Sequence, residues 1–216
     1  MLFRSVESQR ERGASSALPP LYFLHVWWAR RPLTVSRASI LGSLLPAGYD
    51  RTAFLELMGV PRGADPIAER KRIDDANKAG IKLKTGFSYG RAFSNTVPNS
   101  AIEGARKSLV EVWGESKPAV LDAFSGGGSI PFESVRVGFD TIANELNPVA
   151  TIIEKATIEY PVQFGPALSK DIEKIGEKIA KKLEYELSPY FPKNPGVNIF
   201  AYIWVRTVRC PKCELT

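Results

Sequence analysis

The sequence lacks an apolar segment long enough to cross a bilayer, and it has few cysteines. The longest apolar run, residues 21–28, includes His25 and leads directly into Arg30 and Arg31. A membrane span needs roughly 18 or more apolar residues. The first twenty residues are too charged for a secretory signal. The 2 Cys lie three positions apart near the end of the sequence, which excludes a disulfide framework. We therefore expect a cytoplasmic protein that does not associate with membranes.

The composition is that of a globular protein with an uneven distribution of charge. Of the 216 residues, 44% are hydrophobic and 24% are charged, so disorder and collagen-like repeats are excluded. Residues 1–110 hold 17 Lys and Arg against 9 Asp and Glu, whereas residues 111–216 hold 12 against 14. A basic half joined to a nearly neutral half favours a polyanionic partner such as a nucleic acid. A solvated basic surface is the alternative explanation.

The first half of the sequence shows helical periodicity, and the second half alternates short apolar runs with helices. Capping residues and apolar spacing predict helices over residues 31–45, 50–58, 65–79 and 99–113. After these, the order is strand, helix, strand, helix, which is typical of a parallel sheet with crossover helices. The predicted elements are strands at residues 119–121 and 141–143, helices at 129–137 and 147–160, a break at 161–166, a long amphipathic helix at 168–187, and strands within 198–208.

A glycine loop between the first strand and its helix is the most informative motif. Residues 120–133 read VLDAFSGGGSIPFE. Glycines at this point allow a tight turn and the close approach of a ligand to the backbone, and the helix N-terminus offers free N–H groups. A Walker loop is excluded because no Gly-Lys-Ser/Thr sequence is present. A dinucleotide loop is disfavoured because Pro131 stands where the third glycine belongs.

Two acids favour a third class of ligand, S-adenosylmethionine. This nucleoside carries positive sulfonium and ammonium groups and no phosphate, so a carboxylate such as Asp122 at the strand end attracts it. Glu145 lies 19 residues after Gly126, at the end of the second predicted strand. A carboxylate at that place can accept hydrogen bonds from both ribose hydroxyls, as in dinucleotide folds.

These motifs resemble those of a family of adenine-specific DNA methyltransferases that carry a zinc ribbon. The resemblance rests on the glycine loop, on residues 144–150 (NELNPVA), on residues 25–33 (HVWWARRPL) and on residues 204–213 (WVRTVRCPKC). It extends from about residue 21 to the last residue. It implies a Rossmann-like fold, here incomplete and preceded by a helical extension, that transfers a methyl group to the exocyclic amino nitrogen of adenine in DNA.

The resemblance also implies a division of the chain and a set of site residues. Glu145 stands where the family more often has Asp, and Ser125 where it often has Ala. Trp27 and Trp28 are either core residues or part of the cofactor or base pocket. The sequence itself predicts a flexible arm at residues 1–20, which ends at Pro19 and Pro20. The remaining parts are a basic helical region at 21–115, the cofactor-binding half of the methyltransferase domain at 116–195, and the start of a zinc ribbon at 196–216. The implied S-adenosylmethionine ligands are Asp122, Phe124, Gly126, Gly128, Glu145, Asn147 and Pro148; Arg30 and Arg31 are the implied DNA contacts, and Cys210 and Cys213 are half of a zinc site.

The catalytic tetrapeptide of this enzyme class is missing from the sequence. That motif has Asp, Asn or Ser, then two prolines, then an aromatic residue that stacks on the flipped base. Leu18 and Leu21 flank Pro19 and Pro20, and Ser188-Pro189-Tyr190 lacks the second proline. A structural zinc site also needs four ligands, and only one Cys-x-x-Cys pair is present. We therefore expect the cofactor-binding portion of a longer or truncated enzyme. A non-catalytic nucleic-acid-binding module and a dinucleotide-dependent oxidoreductase remain the alternatives.

Overall fold

The computed structural model is mostly helical and contains a two-stranded parallel sheet. It divides into two compact units, Met1–Gly165 and Pro166–Thr216, which we describe separately. The residues described are 3–12, 18–27, 31–83, 86–115, 118–192, 196, 199–203, 205–208 and 211–213.

The N-terminus begins with a helix, where the sequence predicted a flexible arm over residues 1–20. Helix α1 spans Phe3–Arg12. It packs against two later helices, α2 (Leu33–Leu44) and α4 (Pro66–Lys78). Glu7 and Glu11 lie one turn apart on its buried face, and both are at most 1% exposed. Glu11 accepts hydrogen bonds from the backbone N–H groups of Leu33 (2.7 Å) and Thr34 (3.0 Å). These N–H groups have no partner within their own helix, so a residue of the expected arm caps the helix that follows it.

The remaining helices of the N-terminal region agree closely with the sequence predictions. Asp50 accepts from the backbone N–H of Ala53, and Asp65 accepts from that of Ile67, so both predicted caps are confirmed. The helices are α2 Leu33–Leu44, α3 Arg51–Leu57, α4 Pro66–Lys78 and α5 Asn99–Trp113.

The buried core joins this helical region to the sheet region. Its central cluster includes Leu41 of α2, Leu57 of α3, Ala105 of α5 and Val137, which follows the helix after the glycine loop. A smaller cluster contains Tyr22, Leu33 and Phe93.

The predicted strand–helix–strand–helix order is present. Strand β1 (Ala119–Asp122) pairs in parallel with β2 (Asp140–Ala143), and Leu121 is opposite Ile142 in the register. Helix α6 (Ser129–Arg136) connects the strands and packs against both. Leu121 and Ile142 are 66% and 59% exposed. Two strands do not distinguish a Rossmann-like sheet from other parallel sheets, so that fold class stays a prediction.

The helix after β2 extends further than the sequence predicted. Helix α7 (Pro148–Glu154) continues into a π-helical segment (Lys155–Glu159) and then into α8 (Tyr160–Phe164). We predicted a break from Pro161, but the helical path continues to Phe164. The backbone N–H of Tyr160 bonds to the carbonyl of Lys155, five residues back. Pro161 thus enters where the ordinary hydrogen-bond pattern is already shifted.

A buried ion pair connects the helical region to α6. The Nε atom of Arg37, on α2, lies 2.5 Å from Oε2 of Glu133, on α6. Neither side chain is exposed to solvent. Arg37 also donates from Nη1 to the carbonyl of Leu57 at 3.4 Å.

The second unit consists mainly of helix α9, Ala167–Leu187. Its apolar side chains recur at the predicted spacing, but they are exposed: Ile172 by 60%, Ile179 by 53% and Leu183 by 47%. The strands predicted within residues 198–208 are absent from the described residues 199–203 and 205–208. Alternating apolar residues form a strand only where a neighbouring backbone supplies the hydrogen-bond ladder. Among the helices of the described ranges, none is both long enough and apolar enough to cross a membrane.

Candidate functional site

The glycine loop connects the carboxyl end of β1 to the first turn of α6. Gly126 and Gly128 have φ angles of 54° and 73°, in the left-handed region that favours glycine. Gly128 immediately precedes α6 and occupies its N-cap position. A Cβ atom built on Gly126 would meet nothing within 4 Å, so the loop faces open space at this residue.

Glu145 reaches the glycine loop, as its position in the sequence predicted. Its Oε2 atom accepts a hydrogen bond from the backbone N–H of Gly126 at 2.7 Å. Its Oε1 atom accepts from the N–H groups of Leu146 (2.9 Å) and Asn147 (3.1 Å). These backbone donors, Asn147 first, lower the pKa of Glu145. The carboxylate therefore holds the loops after the two strands together, and about one of its four acceptor positions is left for a ligand.

Asp122 lies at the carboxyl end of β1, opposite Ala143 in the parallel register. Its Oδ1 atom accepts from the N–H of Phe124 at 3.3 Å. Its backbone carbonyl accepts from the N–H of Asn144 at 2.9 Å, and the Asn144 side chain donates to the carbonyl of Ala123 at 3.1 Å. Asp122 and Glu145 thus stand at the same edge of the sheet.

Gly127 and Gly128, the last two glycines of the loop, each lie close to side chains from other segments. A Cβ on Gly127 would lie 2.8 Å from Nε1 of Trp27 and 3.0 Å from its Cδ1. A Cβ on Gly128 would lie 3.0 Å from Cγ of Glu154 and 3.3 Å from Cδ1 of Ile158. The tryptophan of the N-terminal motif therefore packs directly on the glycine loop. Neither glycine has room for a side chain, and Gly128 also has the left-handed φ that favours glycine.

Three other predicted ligands flank the loop. Phe124 is 85% exposed. Asn147 caps α7, since its side-chain oxygen accepts from the N–H of Val149 at 2.9 Å, and Pro148 occupies the first turn of that helix. The structure thus assigns Asn147 and Pro148 a role in starting the helix that leads away from Glu145.

The predicted zinc and DNA residues are only partly within the described ranges. Cys210 and Arg30 lie outside them. Cys213 is a free, exposed cysteine, and no group of three or more His, Cys, Asp or Glu residues among those described could hold a metal ion. Arg31 is exposed, and its backbone carbonyl oxygen lies 2.9 Å from the hydroxyl oxygen of Tyr22.

Part of the chain is similar to a known protein family. Residues 5–74 resemble a family described as "Protein of unknown function (DUF1156)". No curated protein and no solved structure matches the chain. We refer to residues 5–74 as the DUF1156-like segment. It includes Trp27, which contacts Gly127, and Arg37, which pairs with the buried Glu133 of α6.

Glu154 is a third acid, behind the glycine loop, that the sequence motifs did not indicate. Its side chain is 9% exposed, and its Oε1 atom is buried with no hydrogen-bond partner among the described residues. Burial is the largest cause that raises the pKa of Glu154, and the charges of Asp122 and Glu145 raise it further. The spacing in the sequence was the available signal, because Glu154 lies four residues after Ala150 and therefore on the same face of α7. Ala150 is buried, so this face is the buried one.

Asp122 and Glu145 make this edge of the sheet negative, and the buried Glu154 lies behind them. None of them takes part in an ion pair within the described part of the chain. Such a site attracts a cationic ligand and repels a pyrophosphate.

Proposed function

We propose that this chain is the S-adenosylmethionine-binding portion of a methyltransferase that modifies the exocyclic amino group of adenine in DNA. The observation that carries the proposal is the bond between Glu145 and Gly126, 19 residues apart. This bond brings the glycine loop close to Asp122 and Glu145, at the carboxyl ends of neighbouring parallel strands. Open α/β sheets bind their ligands at these ends.

The residues present fit the chemistry of this cofactor. The carboxylate of Asp122 and the remaining acceptor position of Glu145 suit an ammonium group and a ribose hydroxyl, respectively. Gly126 leaves space for the ligand, whereas Trp27 already covers Gly127. When bound, the cofactor supplies an electrophilic methyl group. The chain's own residues bind and orient it, and Trp27 excludes water from one side of the loop.

The choice of DNA adenine as substrate depends on the family resemblance and on the basic charge of residues 1–110. In this proposal Arg30 and Arg31 contact phosphate, and Cys210 and Cys213 contribute half of a zinc ribbon. We place the protein in the cytoplasm. Since the sequence contains no Asp/Asn/Ser-Pro-Pro-aromatic tetrapeptide, we expect this chain alone to bind the cofactor without methylating DNA.

Calorimetry with S-adenosylmethionine tests the proposal. The Asp122→Asn and Glu145→Gln variants should each bind about 10- to 100-fold more weakly, the loss expected for a hydrogen bond to a charged group. Asp140→Asn is the matched control, because Asp140 lies at the opposite end of β2 and is exposed; its affinity should equal that of the wild type.

Other outcomes select the alternatives. A thermal shift with NAD and none with S-adenosylmethionine would identify a dinucleotide-dependent protein. DNA affinity that falls steeply with salt, without binding of the methyl donor, would identify a nucleic-acid-binding module. Methyl transfer to DNA by the purified chain would contradict the role assigned to the missing tetrapeptide.

A further inference from the structure

Glu154 is the buried acid of the site that the proposed binding of a nucleoside does not use. It is the last residue of α7, directly before the π-helical segment Lys155–Glu159. Segments of this kind are frequent at functional sites, because they reorient side chains within an otherwise regular helix. The Glu154 carboxylate, at the start of this segment, is more than nine-tenths buried, with one oxygen unpartnered among the described residues.

The carboxylate lies directly behind the glycine loop. A Cβ on Gly128 would approach its Cγ to 3.0 Å and its Oε1 to 3.5 Å. The Ser125 hydroxyl of the same loop interacts with it and partly offsets the effect of burial on its pKa. Any shift of Gly128 or Ser125 on ligand binding therefore changes the surroundings of Glu154.

The charges that face Glu154 are mainly negative. Asp122 and Glu145 act on it from the ends of the two strands. Glu154 also lines a cavity of about 650 Å³ together with Lys155 and Glu159, and those two residues pair with each other at 3.8 Å. On α6, the neighbouring acid is Glu133, which is paired with Arg37 and Arg136.

We propose that Glu154 is a positioning residue of this site, which holds a proton while the site is empty and releases it when a cationic group enters beside Asp122 and Glu145. The inference rests on the proposed function. A buried carboxylate that lies beside two other carboxylates, with one oxygen unpartnered among the described residues, favours its neutral form. A cationic group beside Asp122 offsets part of the negative charge that Asp122 and Glu145 place on Glu154, so Glu154 gives up its proton to solvent in a fraction of the molecules.

The coupling between cation binding and proton release determines how the affinity for the cation changes with pH. If binding releases a proton, the affinity for the cation rises with pH through the range in which Glu154 titrates, and by reciprocity the cation lowers the pKa of Glu154. One released proton corresponds to at most about a tenfold change in affinity for each pH unit.

The experiment is calorimetric titration of the full chain with S-adenosylmethionine between pH 5 and pH 8, in two buffers with different ionisation enthalpies. The wild type should release a fraction of a proton on binding and gain about three- to tenfold in affinity over this range. Glu154→Gln should bind with no proton release from this source and a flatter pH profile, and Glu154→Asp should restore part of the dependence. Glu111→Gln is the matched control, because Glu111 is an exposed acid on α5 and does not line the cavity of Glu154; it should behave like the wild type.

Two failures are distinguishable. Equal proton release by the wild type and Glu154→Gln would overturn this inference and leave the proposed function intact. Equal binding enthalpies in the two buffers would mean that the wild type releases no proton. That result would also overturn this inference and leave the proposed function intact, without the need for a variant. No binding of S-adenosylmethionine by the folded wild type at any pH would refute the proposed function and this inference together.

Discussion

The buried ion pair between Arg37 and Glu133 is the contact by which the DUF1156-like segment holds α6, the helix that follows the glycine loop. Both side chains are completely buried, and the Nε–Oε2 distance is 2.5 Å. Removing one partner of a buried pair costs about 3–5 kcal/mol, because the other charge is left uncompensated. In the Arg37→Met variant, Oε1 of Glu133 still lies 3.3 Å from Nη1 of Arg136. Because this second cation remains, we expect the variant to lose about 3 kcal/mol of unfolding free energy, near the lower limit of the range. Since folded domains are stable by about 5–15 kcal/mol in total, this is a large fraction.

Urea unfolding followed by circular dichroism measures this cost. A double-mutant cycle with Glu133→Gln isolates the interaction, because the glutamine keeps the shape of the side chain and removes its charge. We expect the double variant to be more stable than the sum of the single losses by about 2 kcal/mol. The exposed pair of Arg62 with Glu56 is the matched control, and Arg62→Met should shift the unfolding midpoint far less.

Two results would refute this reasoning. A loss below about 1 kcal/mol for Arg37→Met would mean that the charge left on Glu133 is satisfied without Arg37. Strict additivity in the cycle would mean that the two side chains do not interact energetically, whatever their distance.

Three further variants test other contacts. Gly127→Ala should lose about 1–3 kcal/mol in the same urea assay, because its Cβ would overlap Trp27; Gly42→Ala, which meets nothing within 4 Å, is the control, and equal losses at both glycines would argue against the contact with Trp27. Tyr22→Phe should lose about 1.5–3 kcal/mol, since the hydroxyl donates to Oε1 of Glu11 at 2.6 Å; an unchanged midpoint would be inconsistent with that bond. Because backbone donors lower the pKa of Glu145, its ionised form stabilises the fold above the ordinary carboxyl value of 4.5, and this contribution is lost as pH falls through the native pKa. Thermal unfolding of the wild type and Glu145→Gln should therefore converge in acid, and a constant difference would contradict the assignment.

Much of the local structure could be predicted because its causes lie within a few residues of each other. Asp50 and Asp65 cap helices two or three residues ahead of them, and Gly128 adopts the left-handed backbone that a turn into α6 requires. The meeting of Glu145 with Gly126 could also be predicted, since parallel pairing brings the carboxyl ends of consecutive strands together.

The remaining features depend on partners that are distant in sequence. The first twenty residues were predicted to be a flexible arm, yet Glu7 accepts from the N–H of Ala92, 85 residues away, at 3.0 Å. Pro161 was predicted to end the helix after β2, but the π-helical segment before it shifts the hydrogen-bond pattern. Residues 199–203 and 205–208 alternate like strands but have no neighbouring backbone ladder in the described part of the chain.

The amino-acid sequence by itself determined the starts of α3 and α4, the two parallel strands and the pair of acids at their ends, because short-range capping, turn geometry and periodicity suffice for these. Only the tertiary structure decided that Trp27 packs on the glycine loop, that Arg37 neutralises Glu133, and that Glu154 is buried behind Gly128. The physical reason is that burial of a charge or an indole depends on which surfaces meet, and this depends on the packing of segments that are far apart in the chain.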